Sequence, residues 1–328
     1  MCVLTIAVPI YNMERCLEKN LATFDDPRLA ARVQVICLNN ASSDSSLAIA
    51  EAFEERSPEI FQVLDRKTRG YGGSINDAVS MARGKYFRIV DADDWVCTDE
   101  LVRFADCLES AEADIVYTDY RIVDMQTGRE KPVRAGDKGA EYGVCTGDFS
   151  VPVKTYPMIH GTTYRTELLR ECGFKMQDDT FFVDEEYMLL PAIYARTVLY
   201  LDMDIYRYMV SNPAQSTSPQ NRSRLQTHQE RVIKRVAEEF ARAPEGPSTP
   251  FVRYRVTRLL GDRFVVLLMY VEDRKEGRRL AKQWEKYVRS TWPDLWPQVS
   301  GKARILYLLN AVRLPLGAYL RLKEAFLG

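Results

Sequence analysis

Four apolar runs of strand length, Leu4–Ile10 and residues 33–38, 60–64 and 86–90, alternate with segments of helical spacing over the first hundred residues. Runs of this kind are near-continuously hydrophobic, as strands buried on both faces of a parallel sheet must be. Strands joined through helices require right-handed crossovers, and they open a ligand crevice beyond the carboxyl ends of the strands. Every polar motif of this region falls at such an end. Tyr11-Asn12 follows the first strand, and Asn39-Asn40-Ala41-Ser42-Ser43-Asp44 follows the second. The loop from Asp65 to Ser74, with Gly70, Gly72 and Gly73, follows the third, and Asp91, Asp93 and Asp94 follow the fourth. Residues 13–24, 45–55 and 75–82 are expected as the intervening helices.

The acidic cluster is the strongest chemical signal. In extended backbone side chains two apart share a face, so Asp91 and Asp93 can converge on one divalent cation, which could hold a diphosphate. An Asp-x-Asp alone is also a common solvated turn. Asp94 suits a cap for a helix starting near Thr98, and Trp95 suits either packing or a sugar platform. Arg66, Lys67 and Arg69 place positive charge beside glycines whose bare backbone can approach phosphate oxygens. His160 has no second ligand at metal spacing in the sequence and is expected to be structural.

Composition narrows the classes. The chain has 328 residues, 46% of them hydrophobic, which is enough for a nucleotide-binding domain plus a helical extension. A net charge of -1 without a basic tract argues against a nucleic-acid partner. Seven scattered cysteines carry no zinc or disulfide spacing and imply a reducing compartment, and the N-terminus is a strand rather than a signal peptide. A cytoplasmic location is expected, with attachment to the inner face of the cell membrane as an option.

Val8-Pro9-Ile10-Tyr11-Asn12, the strand-end Asn39 to Asp44, the glycine loop with Asn76, Gly84-Lys85-Tyr86 and Asp91-Ala92-Asp93-Asp94 together resemble the family 2 glycosyltransferases of the GT-A fold. Asp184-Glu185-Glu186-Tyr187 extends the resemblance to about residue 210. The resemblance implies an α/β, Rossmann-like nucleotide-diphospho-sugar transferase sheet with helices on both faces. It implies that Pro9, Tyr11, Asn39, Arg69, Gly72, Asn76, Asp91 and Ala92 meet the nucleotide sugar, with Arg69 ranked above Arg66 and Lys67. By the same resemblance Asp93 and Asp91 hold the metal, Mn or Mg, and Asp184 is the general base, with Glu185 in reserve. Two departures stand out: Asn39 occupies the place of an aspartate that reads the pyrimidine, and Val183 replaces a glutamate before the base.

The resemblance implies an inverting, metal-dependent hexosyl- or N-acetylhexosaminyltransferase, with a UDP sugar as the first candidate donor. Acceptors of this class are hydroxyls of a cell-surface glycan, a teichoic-acid-like polymer or a lipid-linked glycan. A Gln-x-x-Arg-Trp segment, found in resembling processive polymerases, is absent, which implies few additions per encounter. A catalytically inactive scaffold of the same fold, or a sugar nucleotidyltransferase, are the alternatives. The nucleotidyltransferase would need a long glycine and arginine loop after the first strand, which is missing. A dehydrogenase is disfavoured because the first turn has no glycine.

Residues 1–212 are expected to form the catalytic domain, with a nucleotide-sugar half to about 97 and an acceptor half over 98–212. A connecting helix and linker would span 213–250, ending in the proline-rich break at 243–250, and a helical region would span 251–328. Residues 125–154 are expected as a hairpin or flap over the acceptor, and Gln215-Ser216-Thr217-Ser218 as a loop over the diphosphate. The last segment, 302–326, mixes apolar residues with Arg304, Arg313, Arg321 and Lys323 and suits a membrane surface, or packing onto the catalytic domain or a second subunit.

Overall fold

The computed structural model describes residues 2–136, 140–149, 158–210 and 219–327. The first strands follow the sequence pattern: β1 (Leu4–Ile10) and β2 (Val33–Asn40) are buried at every position. They pair in parallel, β1 also pairs in parallel with β4 (Tyr86–Ile89), and β2 does so with β3 (Phe61–Arg66). Helices α1 (Leu17–Ala22), α2 (Ser46–Arg56) and α3 (Tyr71–Met81) make the connections. After β4 come β5 (Trp95–Val96), α4 (Thr98–Ser110), β6 (Ile115–Asp124), β7 (Glu130–Val133) and β8 (Cys145–Thr146). Then follow β9 (Thr162–Arg165), α5 (Thr166–Glu171), α6 (Asp184–Leu189) and β10 (Val198–Val210).

Among the described residues the strands form one sheet in the order β3-β2-β1-β4-β9-β6-β10-β5, with β7 on β6 and β8 on β10. β9 runs antiparallel between β4 and β6, so the sheet changes from parallel to mixed as it passes from the first half of the domain to the second. Within the stretch 125–154, β7 pairs antiparallel with β6 and β8 pairs antiparallel with β10. The loop expected at 215–218 lies outside the described residues.

Several boundaries differ from expectation, each for a local reason. α1 is shorter than 13–24, because Met13 and Cys16 form turn hydrogen bonds ahead of it. α3 starts at Tyr71 rather than at 75, so Gly72 and Gly73 lie in its first turn. Asp94 does not cap α4; Cys97 holds that position, and the Asp94 carboxylate is buried elsewhere. Gly84 is required by close packing: a Cβ there would lie 2.4 Å from the Thr5 nitrogen.

Contacts divide the chain into two compact units, Met1–Asn212 with Ala243–Phe251, and Pro213–Arg242 with Val252–Gly328. The stretch expected as a linker over 213–250 is therefore shared between them. The second unit contains α7 (Pro219–Arg224), α8 (Gln226–Arg242), α9 (Thr249–Val265), α10 (Arg274–Thr291), α11 (Trp296–Ala311) and α12 (Leu316–Leu327), the first residues of α9 belonging to the first unit. α8 is no spacer, because it buries Val232, Ile233, Val236 and Ala237 on one side. α10 and α11 are joined by a hydrogen bond from Arg278 to Asn310 of 2.7 Å. No helix among the described residues is long and apolar enough to cross a membrane.

Candidate functional site

The carboxyl ends of β1, β2 and β4 surround a cavity of about 260 Å³, lined among others by Pro9, Tyr11, Asn40, Arg69, Asp91 and Asp93. Ala92 lines it too. The cavity lies where the topology predicts, because parallel strands present their last residues and the following turns on one edge. The turns after β1 and β2 are tied together there. Asn12, at φ 53°, accepts a hydrogen bond from the Ser43 N–H (2.8 Å), and its own N–H donates to the Ser42 hydroxyl (3.1 Å). Asparagine is one of the few residues that adopt this left-handed conformation readily.

Of the three loop cations only Arg69 reaches the cavity, where its guanidinium stacks 4.3 Å from the centre of the Tyr11 ring. Arg66 is engaged by Asp77 (2.8 Å), the Asn40 side-chain oxygen (2.8 Å) and the Gly70 carbonyl (3.0 Å), and so braces the loop. Lys67 pairs with Asp65.

Asn39 is buried and outside the cavity lining: its amide donates to Asp65 (2.8 Å), and its oxygen accepts the Ser42 N–H (3.3 Å). It stabilises its own turn, while its neighbour Asn40 faces the cavity. Gly72 and Asn76 are likewise placed against protein. A Cβ on Gly72 would lie 2.1 Å from the Gln177 carbonyl oxygen. Asn76 exchanges two hydrogen bonds with the backbone of Met176, at 2.9 and 2.7 Å. These residues seat the 176–178 loop on α3.

The acidic turn is held from three sides. Tyr71 donates its hydroxyl proton to Asp91 (2.9 Å), and the Asn20 amide donates to the carbonyls of Asp91 (3.1 Å) and Asp94 (2.8 Å). Tyr206 of β10 accepts the Asp91 N–H (3.1 Å) and donates to Asp94 (2.5 Å), whose other oxygen accepts the Met209 N–H (2.7 Å). Burial raises all three carboxyls. Asp91 is pushed up to about 7, first by burial and then by the charge of Asp93, against the opposing hydrogen bond from Tyr71. Asp93 is raised by burial, and Asp94 is raised well above the usual range by burial and then by Asp91 and Asp93. Three carboxyls that mutually disfavour ionisation form a site a divalent cation would relieve.

His160 joins this group in space, although the sequence gives no sign of it. Ligand atoms of Asp91, Asp94 and His160 lie within 4.8 Å of one another. The imidazole stacks on Tyr208 at 3.9 Å, and its buried Nδ1 has no hydrogen-bond partner. Burial, and next the positive charge of Arg88, lower its pKa to about 3, so it is neutral. An orphaned neutral nitrogen beside raised carboxyls fits a metal-binding environment.

Asp184 opens α6 and is half-buried, and its charge acts on the hydroxyls of both Tyr71 and Tyr208. Glu185 is the next residue of that turn, also half-buried. Glu186 is fully buried and accepts the Gln177 N–H (2.7 Å), which fixes the loop that leans on Gly72. Val183 is buried in the core, as suits an apolar residue in the place of a carboxylate. Trp95 packs beneath the Lys19 ammonium, 3.1 Å from the ring centre. The residues the sequence reading missed, Asn40, Tyr71, Tyr206 and His160, come from four separate segments. Only the Tyr206 and Tyr208 alternation on one strand carried a signal.

A parallel sheet turning mixed, with an acidic turn at its switch point, defines the GT-A fold of nucleotide-sugar glycosyltransferases, and known structures agree. TarS of S. aureus, residues 1-349 in complex with UDP, superimposes with a TM-score of 0.65 at 18% identity, over 97% of this chain and 91% of that one. The glycosyl transferase family 2 model matches residues 5–176, more than half of the chain, and the chain belongs to that family. Glycosyltransferase GlyA of Streptococcus pneumoniae serotype 4 is 23% identical over 220 residues, 63% of this chain and 30% of GlyA. The poly(ribitol-phosphate) beta-glucosyltransferase of Bacillus spizizenii is 28% identical over 115 residues, 34% of this chain and 18% of that enzyme. The matched parts thus span less than a third of either relative.

Proposed function

We propose that this family 2 glycosyltransferase is an inverting, metal-dependent enzyme that moves a hexosyl or N-acetylhexosaminyl group from a UDP sugar to a hydroxyl of a cell-surface glycan, a teichoic-acid-like polymer or a lipid-linked acceptor. The observation that carries this reading is the trio of raised carboxyls, Asp94 buried and Asp91 and Asp93 half-buried, at a cavity that Asp91 and Asp93 line together with Tyr11 and Arg69. The UDP bound by TarS and the poly(ribitol-phosphate) in the name of the Bacillus relative support this choice of donor and acceptor.

In this reading Pro9, Tyr11 and Arg69 receive the nucleotide, and Asp91 and Asp93 hold the divalent ion. Bound there, Mg or Mn supplies positive charge to the diphosphate as it leaves. Asp184 takes the proton of the acceptor hydroxyl as that oxygen bonds to the anomeric carbon. The bond from that carbon to the phosphate oxygen breaks, and its electron pair leaves with the nucleoside diphosphate. One displacement from the opposite face inverts the configuration.

Asp184→Asn is expected to abolish transfer, by a factor of about 100 or more in kcat, while UDP still raises the melting temperature in the presence of Mn. Asp93→Asn is expected to remove the Mn-dependent part of that shift. Transfer at wild-type rate in both variants defeats the reading. A UDP sugar that gives no shift where a GDP or dTDP sugar does would reassign the donor.

A further inference from the structure

The helical unit exposes an apolar row: Ile305, Leu308 and Val312 are 59%, 67% and 72% accessible to solvent. Spaced by three and four residues, they fall on one side of α11 and its C-cap, away from the side that buries Val299, Ala303 and Leu306. Contiguous exposed apolar side chains mark contact surfaces, whereas single ones do not. Along this stretch of chain the charge has one sign, and Asp262 of α9 pairs with Lys302. Residues 296–323 include Lys302, Arg304, Arg313, Arg321 and Lys323 and not one acidic residue. Arg304 precedes Ile305, Arg313 follows Val312, and both arginines are exposed. The whole chain has a net charge of -1, so this accumulation is local.

We propose that this face of α11 rests on an anionic lipid surface, with Ile305, Leu308 and Val312 at the acyl boundary and Arg304 and Arg313 against lipid phosphates. An apolar row between cations gains from both the hydrophobic and the electrostatic part of such a surface. A second copy of the chain suits it less well, because a two-fold contact sets the same cations against each other. The helix is an interfacial element, since no described helix crosses a bilayer. This inference stands on α11 alone and does not depend on the reaction proposed above.

The test is flotation of the full chain with phosphatidylcholine vesicles, plain or doped with phosphatidylglycerol. The protein is expected to float with the doped vesicles only and to be released by added salt, as screening requires. Leu308→Glu is expected to weaken binding about tenfold or more, and Arg304→Glu to reduce the preference for doped vesicles. Leu308 is exposed, so neither the melting temperature of L308E nor its further shift with UDP should change. Absence of wild-type flotation on doped vesicles, or equal flotation of L308E, overturns the proposal. So does a concentration-dependent dimer that L308E converts to monomer, which would make the face a contact between copies.

Discussion

At the scale of single residues, Asp91 makes the site sensitive to pH. Its carboxyl, ordinarily near 3.8, is raised to about 7 in the fold, so between those values the folded chain holds a proton that the unfolded chain has released. Its contribution therefore makes the ion-free protein less stable as pH rises through this window, and a divalent cation must displace the proton to bind below about pH 7. The melting shift produced by Mn is accordingly expected to be small at about pH 5.5 and larger at about pH 8. Differential scanning fluorimetry across that range checks this; a shift independent of pH would show that Asp91 is not near the ion. The acidic residues themselves were legible, because an aspartate pair after a strand is a local pattern. The use of Asn40 rather than Asn39 at the cavity was not. Which of two adjacent amides turns outward depends on Asp65 and Ser42, partners that spacing does not disclose.

At the scale of elements, α3 shows where sequence periodicity misleads. Glycines suggested a loop as far as residue 74, yet Gly72 and Gly73 sit in the first turn of the helix, since the room they leave is filled by the 176–178 loop. Gly72→Ala is expected to destabilise the protein by about 1–3 kcal/mol through overpacking. Because the same turn carries Tyr71 to Asp91, donor affinity should fall as well. Urea unfolding and a UDP titration measure the two; an alanine variant as stable as the parent would mean that the loop moves aside freely. β1, by contrast, runs over the very residues expected, because a strand buried on both faces shows an uninterrupted apolar run that no turn residue blurs.

At the scale of the whole molecule, the acidic turn joins early and late strands of the sheet. Tyr206, from the last strand of the sheet, bonds both Asp91 and Asp94 more than a hundred positions earlier in the chain. Tyr206→Phe removes a buried hydroxyl from two partners and should cost about 1–3 kcal/mol. The unit should still melt in one transition, at a lower temperature, and bind UDP with Mn more weakly. Loss of stability with unaltered donor affinity would confine Tyr206 to a packing role. Such long-range pairing was beyond a reading of local patterns. The prolines at 243–250 suggested a boundary, whereas residues 243–251 belong to the first unit and α8 to the second, a division set by which apolar sides meet.

The seating of the 176–178 loop on Gly72 and Asn76 also bears on how such enzymes diverge or are recombined. A chimera that took residues 1–97 from another member would keep the 176–178 loop while replacing the seat fitted to it, and any side chain in place of Gly72 would enter the space the Gln177 carbonyl occupies. The first turn of α3 and the 176–178 loop are thus fitted to one another as a mated pair. Exchanging both together preserves the joint, and exchanging one alone breaks it.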